Sequence, residues 1–508
     1  MGTRITSWQL FVDWAGNGSF SFDETNHVLQ ASGDEEMANP RESVFASNGF
    51  ASEMSVTVLN PNRRFSPSAS PLVASGGLRE YIQNGAFYGK RVRLYISFDG
   101  VQTLLFQGAI KEIAESARNN KTVGTVVLRC TSEDSFLINR RISTLASNTQ
   151  TFYETGKDEG ELIAKTLTLC GLTDGVHFVS QEYAGAGAKT IDRGMFTIPW
   201  YWLEADSPIE DCWRLAAACG GRFYYNTGDG KYYYQNAQFL AFGPSATSQE
   251  TITESNADRI EPVYKDKELY KSVKITIRPR MIGEKNVVWE PDEIIKILPG
   301  QTITLVAKLS SPVYKFTNLE IVAQNTGGFT INNDLSVSAA YYSQSVTFTI
   351  TNTGIYHVFL RRFQLFGRPI EGGEQSIYEV NSPNTAFWST RNGKERKLSD
   401  NPYVQTFAQG EALGNLLIFR QGNYNEEVQV DGYHGSKVLR PSWLVTVTNS
   451  SLSYSKNVII TSMKWRLDSA GFKQDFEGIA ANSVFHYPTG DYFVIGTHRG
   501  VDNKRFFY

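Results

Sequence analysis

In the stretch KRVRLYISF, residues 90–98, an apolar residue occupies every second position from Val92 to Phe98, and this pattern indicates the fold class. Alternation of this kind is typical of a β-strand with one buried face. The same pattern returns in three further segments, which are FASEMSVTVLN (50–60), TLLFQGAIKEIAE (103–115) and VGTVVLRCT (123–131). Together these segments predict a compact β-domain that extends to about residue 130.

The two ends of this β-domain have their own signals. At the amino end, TSWQLFVDW (6–14) and SFSFD (19–23) predict a hairpin in which Asn17-Gly18 supplies the positive φ angles of a tight turn. At the carboxyl end, SEDSFLINRRIS (132–143) has the pattern of a helix that leads the chain out of the domain.

The pattern changes to helical between residues 151 and 260. DEGELIAKTLTLCG (158–171) predicts one helix, and DSPIEDCWRLAAACGG (206–221) predicts a second. In the second helix Ser207 and Glu210 have capping-box spacing, Pro208 suits the first helical position, and the two glycines end the helix. RFYYNTGDGKYYYQN then predicts a hairpin with a five-residue turn between aromatic strands.

The remainder of the chain is again rich in alternating segments. Strand patterns at 8 to 15 residue spacing between about 291 and 385 predict a β-sandwich. A helix, TFAQGEALGNLLIFRQ, and three more strands follow. The fold class is therefore mainly β and multi-domain. We divide it into a first β-barrel (1–150), a helix and hairpin domain (151–260), a second, split β-barrel (261–290 and 395–470), an inserted β-sandwich (291–394) and a carboxy-terminal segment (471–508).

Composition narrows the class of protein. The chain has 508 residues, of which 41% are hydrophobic, 20% charged and 13% aromatic, which fits several β-rich folded domains. The formal net charge is −3, from 49 basic and 52 acidic residues. A surface that binds phosphates stably needs clustered cations, so we expect no stable nucleic-acid binding, although DNA can pass the protein transiently.

Cysteine and hydropathy patterns give expectations about compartment. Four scattered cysteines form no CxxC pair, which excludes a zinc ribbon and favours small buried thiols in a chain folded in a reducing cytoplasm. Neither a signal peptide nor a run of 18 apolar residues occurs, so we expect no Sec export and no membrane span.

Several patterns that could carry chemistry have simpler explanations. Residues 13–24 match calcium-loop spacing at Asp13, Asn17, Gly18 and Glu24, but Ala15 stands where a ligand is needed and strands flank the loop, so a turn is favoured. The acidic runs at 33–36 and 158–161 are predicted to lie in a loop and at a helix start.

Three other groups of residues remain. Cys212 and Cys219 are seven residues apart on a helix, too far to share a metal, and are predicted to be buried. The charge run RNGKERKLSD is predicted to be a solvated loop. The five tyrosines at positions 224, 225, 232, 233 and 234 could bind sugars or a neighbouring protein, or form cross-strand pairs. We assign no catalytic, cofactor-binding or metal-binding residue, expect no cofactor and expect no enzyme activity.

The order of the motifs resembles that of a known family. The segments that carry the resemblance are NPRESVFASNGFASEMSVTVLNPNRRFSPSASPLV, LREYIQNGAFYGKRVRLYI, LLFQGAIKEI, VVLRCTSEDSFLINRRI, VDWAGNGSF, the helix and hairpin at 206–235, and TNTGIYHVFLRRFQLFGRPI. Over roughly residues 8 to 470 they are similar to tail proteins of long-tailed bacteriophages, namely the tail-tip or baseplate hub family related to contractile-phage hubs. The last residues, VFHYPTGDYFVIGTHRGVDNKRFFY, match nothing in that pattern.

The resemblance implies a structural role in the virion. Members of the family form a homotrimeric ring at the distal end of the tail tube, with two pseudo-equivalent β-barrels in each subunit. The implied partners are further copies of the chain, the distal tail protein or tail tube protein, the tape-measure protein, and tail fibre or receptor-binding proteins, and the ring would open for DNA ejection. Alternatives are a host-surface glycan adhesin, a cell-wall hydrolase and a hexameric distal-tail ring protein.

Overall fold

The computed structural model describes most of the chain. The described residues are 6–36, 52–67, 81–82, 87–116, 124–132, 153–203, 207–236, 248–265, 269–342, 344–382, 385–389, 393–398, 400–421 and 425–480. The helix expected at 132–143 and the residues after 480 lie outside them, apart from Ser132 itself.

The first part of the chain forms seven strands. They are β1 (Thr6–Val12), β2 (Phe22–Asp23), β3 (Val28–Glu36), β4 (Glu53–Asn60), β5 (Arg91–Phe98), β6 (Val101–Ser116) and β7 (Gly124–Ser132). Two short 3-10 helices, Thr25–His27 and Pro61–Arg63, lie between them. The alternating burial along β4 and β5 matches the alternation in the sequence, so the predicted strands are confirmed here.

The next part combines helices with two sheets of two strands each. Its elements are β8 (Tyr153–Asp158), α1 (Glu159–Leu169), β9 (Thr197–Trp202), α2 (Pro208–Ala218), β10 (Arg222–Asn226) and β11 (Lys231–Gln235). One sheet pairs β8 with β9, and the other is the hairpin β10–β11. The expected start of α2 at Pro208 and its end at the glycines are confirmed, with Gly220 at a φ of 71°. The expected capping box is wrong, because the Ser207 side chain makes no capping hydrogen bond and Glu210 pairs with Arg214 instead.

A long run of strands with one short helix follows. The elements are β12 (Glu250–Ile252), β13 (Arg259–Lys265), β14 (Ser272–Ile277), β15 (Arg280–Ile282), β16 (Asn286–Trp289), β17 (Ile295–Ile297), β18 (Thr302–Lys308), β19 (Val313–Gln324), a 3-10 helix (Asn332–Asp334), β20 (Leu335–Tyr341), β21 (Ser345–Asn352), β22 (Val358–Gly372), β23 (Ser376–Asn381), α3 (Thr385–Ser389) and β24 (Glu395–Lys397). The last elements are α4 (Phe407–Gln421), β25 (Asn425–Tyr433), β26 (Leu444–Asn449), β27 (Tyr454–Asp468) and β28 (Gly471–Ala480).

One sheet of 13 strands joins the two ends of the chain. Along the amino-terminal unit, which comprises β1–β7, the neighbouring strands run in the order β2-β1-β5-β6-β7-β4-β3. Along the carboxy-terminal unit, which comprises β12, β13 and β25–β28, they run β12-β26-β27-β28-β25-β13. The units meet where β3 pairs with β27, and both contribute to one apolar core.

The two units repeat the same topology. When β1, β3, β4, β5, β6 and β7 are replaced in chain order by β12, β13, β25, β26, β27 and β28, one strand order becomes the other. The difference lies in the direction of one pair, since β12 runs parallel to β26 whereas β1 runs antiparallel to β5. The chain thus contains a duplicated six-strand unit.

Two further cores complete the fold. The helices α1, α2 and α4 and the hairpin β10–β11 share one core with β14, which pairs with β23 and β24. The sequence pattern places residues 272–277 in the second barrel, whereas their strand packs against α4 in this helical core. The third core belongs to a sandwich of two sheets, one built on β22 with β15, β16, β17 and β19, the other ordered β18-β21-β20.

Candidate assembly surface

The seam between the duplicated units is an ordinary antiparallel ladder. Residues Ser462 to Leu467 of β27 pair with Glu36 to Ala31 of β3 without a shift of register. Gly33 lies opposite Trp465, and a Cβ atom at Gly33 would be 2.5 Å from Cζ2 of that indole. Glycine therefore allows the buried Trp465 ring to lie flat across the seam.

A buried ion pair crosses this seam. The carboxylate of Glu35 accepts hydrogen bonds from the Arg440 guanidinium and from the Thr227 hydroxyl, the latter at 2.6 Å. Arg440 also donates to the Leu104 carbonyl at 2.6 Å. Burial raises the pKa of Glu35, while the positive charge of Arg440 opposes that rise. The expectation that residues 33–36 form a loop is wrong, since they are the end of β3.

The tip of the tyrosine hairpin fills the junction between the two units. Gly228 lies against the Arg440 guanidinium, where an added Cβ would be 2.9 Å from Nε, and Gly230 has a φ of 71° next to the Gln107 amide. The turn has four residues between the strands rather than five. The contacts of Arg440, which lies in the loop before β26, therefore link that loop to β3 and to the hairpin.

The five hairpin tyrosines pack within the protein, as a cross-strand pair and as part of the helical core. Tyr224 stacks on Tyr233 across the strands with ring centroids 5.6 Å apart, which confirms the cross-strand pairing. Tyr225, Tyr232 and Tyr234 are buried in the helical core. The Tyr224 hydroxyl lies 3.1 Å from that of Ser442, and the Tyr233 hydroxyl donates to Asp229. The stacked pair Tyr224 and Tyr233 is partly exposed, whereas the other three tyrosines of the hairpin belong to the core.

The acidic run at the start of α1 anchors a loop. Asp158 and Glu161 form a capping box, and Glu159 is fully buried behind them. The Glu159 carboxylate accepts from the backbone N–H groups of Met195 and Phe196, at 2.6 and 3.2 Å. The expectation that this run opens a helix is confirmed. Desolvation nevertheless raises the pKa of Glu159 to about 7, against 4.5 for an ordinary glutamate.

The raised pKa of Glu159 predicts a pH-dependent stability. The folded chain binds a proton here that the unfolded chain releases above about pH 4.5, so the stabilisation is fully present below that pH and is lost as pH rises through about 7. We expect the local free energy of unfolding of α1 to fall by about 3 kcal/mol over this window. Hydrogen exchange of the α1 amides at pH 5 and pH 8, corrected for intrinsic rates, measures it. Glu159→Gln should show a smaller fall, and an equal fall in both proteins would contradict the assignment.

A polar cleft of about 440 Å³ lies on the outer side of α1. Four of the carboxylates that line it are held by neighbours: Glu154 pairs with Lys165, Asp158 and Glu161 cap the helix, and Asp174 binds Ser180. These contacts explain four of the five carboxylates in the lining as local structure, the fifth being that of Glu182.

The loop that resembles a calcium site is closed by its own hydrogen bonds. Asp13 is buried, and its carboxylate accepts from the backbone N–H groups of Gly16, Asn17 and Gly18 at 2.8, 3.2 and 2.8 Å. Glu24 is buried against the Arg64 guanidinium, which donates to both of its oxygens. Positive φ angles occur at Gly16 and Gly18, so the expectation for Asn17 is wrong. The turn that was favoured is confirmed.

These contacts predict how the loop responds to calcium and to mutation. Asp13→Ala leaves three N–H groups without their acceptor and should lower the free energy of unfolding by about 1–3 kcal/mol. Asn17→Ala is the control, because among the described residues its side chain accepts a single hydrogen bond, from the Ser19 N–H at an exposed position. Calcium or EDTA should leave the melting temperature of the unmodified protein unchanged. A rise with calcium that Asp13→Ala abolishes would establish a metal site instead.

The remaining candidates are buried or spread apart. Cys212 and Cys219 lie in the helical core, as predicted, and burial raises the pKa of both thiols. Within the described ranges, no cluster of three or more histidine, cysteine or acidic side chains has a geometry that could hold a metal ion. No described helix has both the length and the apolar character needed to cross a bilayer.

Comparisons with known proteins find similar structures only. No family model matches the chain, and no curated protein is significantly similar to it. A 43 kDa tail protein of prophage MuSo2 from Shewanella oneidensis has a TM-score of 0.49 at 10% identity, over 94% of this chain and 99% of that one. A tail protein from Neisseria meningitidis has a TM-score of 0.48 at 9% identity, over 94% and 100%.

A third structure comes from a secretion system. It is an Escherichia coli component of the type VI secretion system, described as structurally similar to T4 bacteriophage tail proteins, with a TM-score of 0.37 at 9% identity over 91% of this chain and 75% of that one. The described residues are mainly β and form several separate sheets and cores. The solved structures to which the chain is similar include phage tail proteins.

Proposed function

We propose that this protein is a structural hub of a phage tail tip, in which three copies form a closed ring at the distal end of the tail tube. The observation that carries the proposal is the duplicated six-strand unit joined edge to edge through β3 and β27. Three chains with two such units each would present six similar units to a sixfold tube. A ring of this kind needs a heterologous contact that closes after three copies.

The remaining elements have places in this proposal. The distal tail or tube protein would lie against the six-unit ring, and the sandwich and helical core would face fibres or other tip proteins. The tape-measure protein and DNA would leave through the opened ring, and the near-neutral net charge of −3 suits a passage that does not retain DNA. The engaged carboxylates of the α1 cleft support a role without catalysis.

The mass of the assembled protein tests the proposal. Native mass spectrometry of the purified chain, alone and with its tail-tube partner, should give three copies. Six copies would favour the distal-tail ring protein, and a single copy at every concentration and with the partner present would overturn the hub. A blank zymogram on cell-wall material, with a known hydrolase as positive control, is expected, and clearing would establish the hydrolase alternative.

A second candidate function rests on one end of the sandwich. Phe329 and Ile355 are 72% and 81% exposed, and Tyr356 is also exposed. Phe329 lies in the loop after β19, and the other two lie in the loop before β22. The two loops lie at the same end of the sandwich, because Gln324 of β19 pairs with Phe359 of β22. Exposed aromatic side chains can stack on sugars, which favours the glycan adhesin. A glycan array with the full chain, and with Tyr356→Ala as the matched variant, decides it, since binding unaffected by the substitution would exclude this end.

A further inference from the structure

The internal seam offers a template for contacts between copies. In the amino-terminal unit β3 pairs with β4 on one edge and with β27 on the other. By the duplicated topology β13 takes the place of β3, and β6 takes the place of β27. If each unit meets the next in the same way, β13 of one chain should meet β6 of another.

The long strands β6 and β27 are equivalent residue by residue around one point. The N–H of Ile110 donates to the carbonyl of Lys90, the residue before β5, and the N–H of Ile460 donates to the carbonyl of Trp443, the residue before β26. Directly after each isoleucine the register against the following strand shifts, which is the mark of a β-bulge. Ile110 and Ile460 therefore occupy the same position.

Beyond this bulge the two strands differ in their neighbours. In β27 the edge from Ser462 to Leu467 is covered by β3, and Met463 and Trp465 are buried. In β6 the matching stretch from Glu112 to Ser116 pairs with β7 alone among the described residues, and Glu112 and Ser116 are exposed. An edge of this length is usually paired or covered.

The strand β13 has the complementary open edge. Within the described part of the chain it pairs with β25 alone, whereas its counterpart β3 has neighbours on both sides. Glu261, Pro262 and Val263 are half-buried. Pro262 has no N–H to donate, and within sheets proline is found on edge strands, where its nitrogen lies on the unpaired side. A seam on this edge therefore has one hydrogen-bond donor fewer.

We propose that the open edge of β13 pairs antiparallel with Glu112–Ser116 of β6 in a second copy of this chain, with Val263 opposite Ala114. The inference rests on the proposed ring and specifies its subunit contact. It extends the 13-stranded sheet from one copy into the next, so that the seam between chains repeats the seam within each chain.

The register follows from the internal seam. Asp34 of β3 lies opposite Lys464, which is four residues after Ile460, and Ala114 is four residues after Ile110. On the other side Asp34 pairs with Glu53 of β4, and the counterpart of that glutamate pairs with Val263. That counterpart is Glu427 of β25. Each of the two glutamates directly precedes a residue that pairs with the next strand, which is β7 for Glu53 and β28 for Glu427. The residue reached on that strand in turn pairs with the equivalent isoleucine of β6 or β27.

Disulfide cross-linking tests both the contact and its register. Directly opposite residues of antiparallel strands have Cβ atoms about 4.5–5.5 Å apart, close enough for a disulfide after small adjustments. Full-length protein with Val263→Cys and Ala114→Cys, oxidised as the assembled ring, should give covalent trimers on a non-reducing gel. Each single variant should give none. Val263→Cys with Val101→Cys, at the exposed far end of β6, is the register control.

The outcomes separate this inference from the proposed function. A trimer by mass that cross-links through positions 263 and 114, and not through 263 and 101, supports both. A trimer by mass that fails to cross-link, or that cross-links equally through the control pair, overturns the strand contact and leaves the hub. A chain that stays a single copy by mass, with its partner present and with unchanged circular dichroism under reducing conditions, overturns the hub and the contact together.

Discussion

Arg440→Met will lower the free energy of unfolding by about 3–5 kcal/mol at pH 8, because it leaves the carboxylate of Glu35 buried without a cation. The side chains of Arg440 and Glu35 are 7% and 5% exposed, so water cannot replace the lost partner. The substitution also removes the donors to Thr227 and to the Leu104 carbonyl. Denaturant titration measures the loss.

The pH dependence of this loss identifies its cause. Burial already raises the pKa of Glu35, and without the Arg440 charge it rises further, so the carboxyl is protonated more easily. A neutral carboxyl needs no counter-ion, so Arg440→Met should be less destabilising at pH 5 than at pH 8. The double variant Glu35→Leu with Arg440→Met should recover part of the loss.

An exposed ion pair provides the control for Arg440. Arg214 pairs with Glu210 on α2, where the two side chains are 37% and 45% exposed. Arg214→Met should cost no more than about 1 kcal/mol, since solvent screens such pairs. If Arg440→Met were as mild as Arg214→Met, the seam would not depend on its buried ion pair.

Phe348→Ala is expected to unfold the sandwich locally, with a loss of about 3–5 kcal/mol. Phe348 is fully buried, its ring meets that of Phe363 edge to face at 4.9 Å, and Trp289 stacks at 5.8 Å. Truncation therefore leaves a cavity in the middle of the sandwich core. The amides of β21 and β22 should exchange faster with solvent deuterium.

The effect of Phe348→Ala should stay within the sandwich. Its core is separate from the core of the duplicated units, and the chain enters and leaves it through adjacent strands, where Arg280 pairs with Gly372. Exchange in β3 and β27 should be unchanged. Phe329→Ala is the control, because that ring is exposed and its loss should change stability by no more than about 0.5 kcal/mol. Faster exchange throughout the chain would show that the sandwich supports the other cores.

The sequence predicted local structure where one physical rule dominated. Alternation identified β4 and β5, because a strand with one buried face must repeat every second residue. Proline at the first turn and glycine after the last turn gave both ends of α2. The capping box at Ser207 failed because Glu210 pairs with Arg214. Local propensity does not include such competing partners.

The candidate sites depended on residues far away in the chain. The acidic run at 33–36 looks like a solvated loop until Arg440, 405 positions later, neutralises Glu35 in the seam. Likewise the calcium-like spacing at Asp13 and Glu24 could be judged only from the structure. There the Asp13 carboxylate accepts hydrogen bonds from the turn amides, and the Glu24 carboxylate accepts from Arg64. A sequence motif shows which possible metal ligands are present. It does not show which of them already form hydrogen bonds or ion pairs with other residues.

The mainly β class of the chain, the apolar faces of its strands and the ends of its clearest helices could all be read from the order of residues. Which strand edges pair could not, because alternation fixes the buried face of a strand and leaves its neighbours unspecified. For that reason residues 272–277 lie in the helical core, and β12 and β13 pair with strands more than 150 residues further along the chain. The duplication of the six-strand unit is likewise visible only in the sheet.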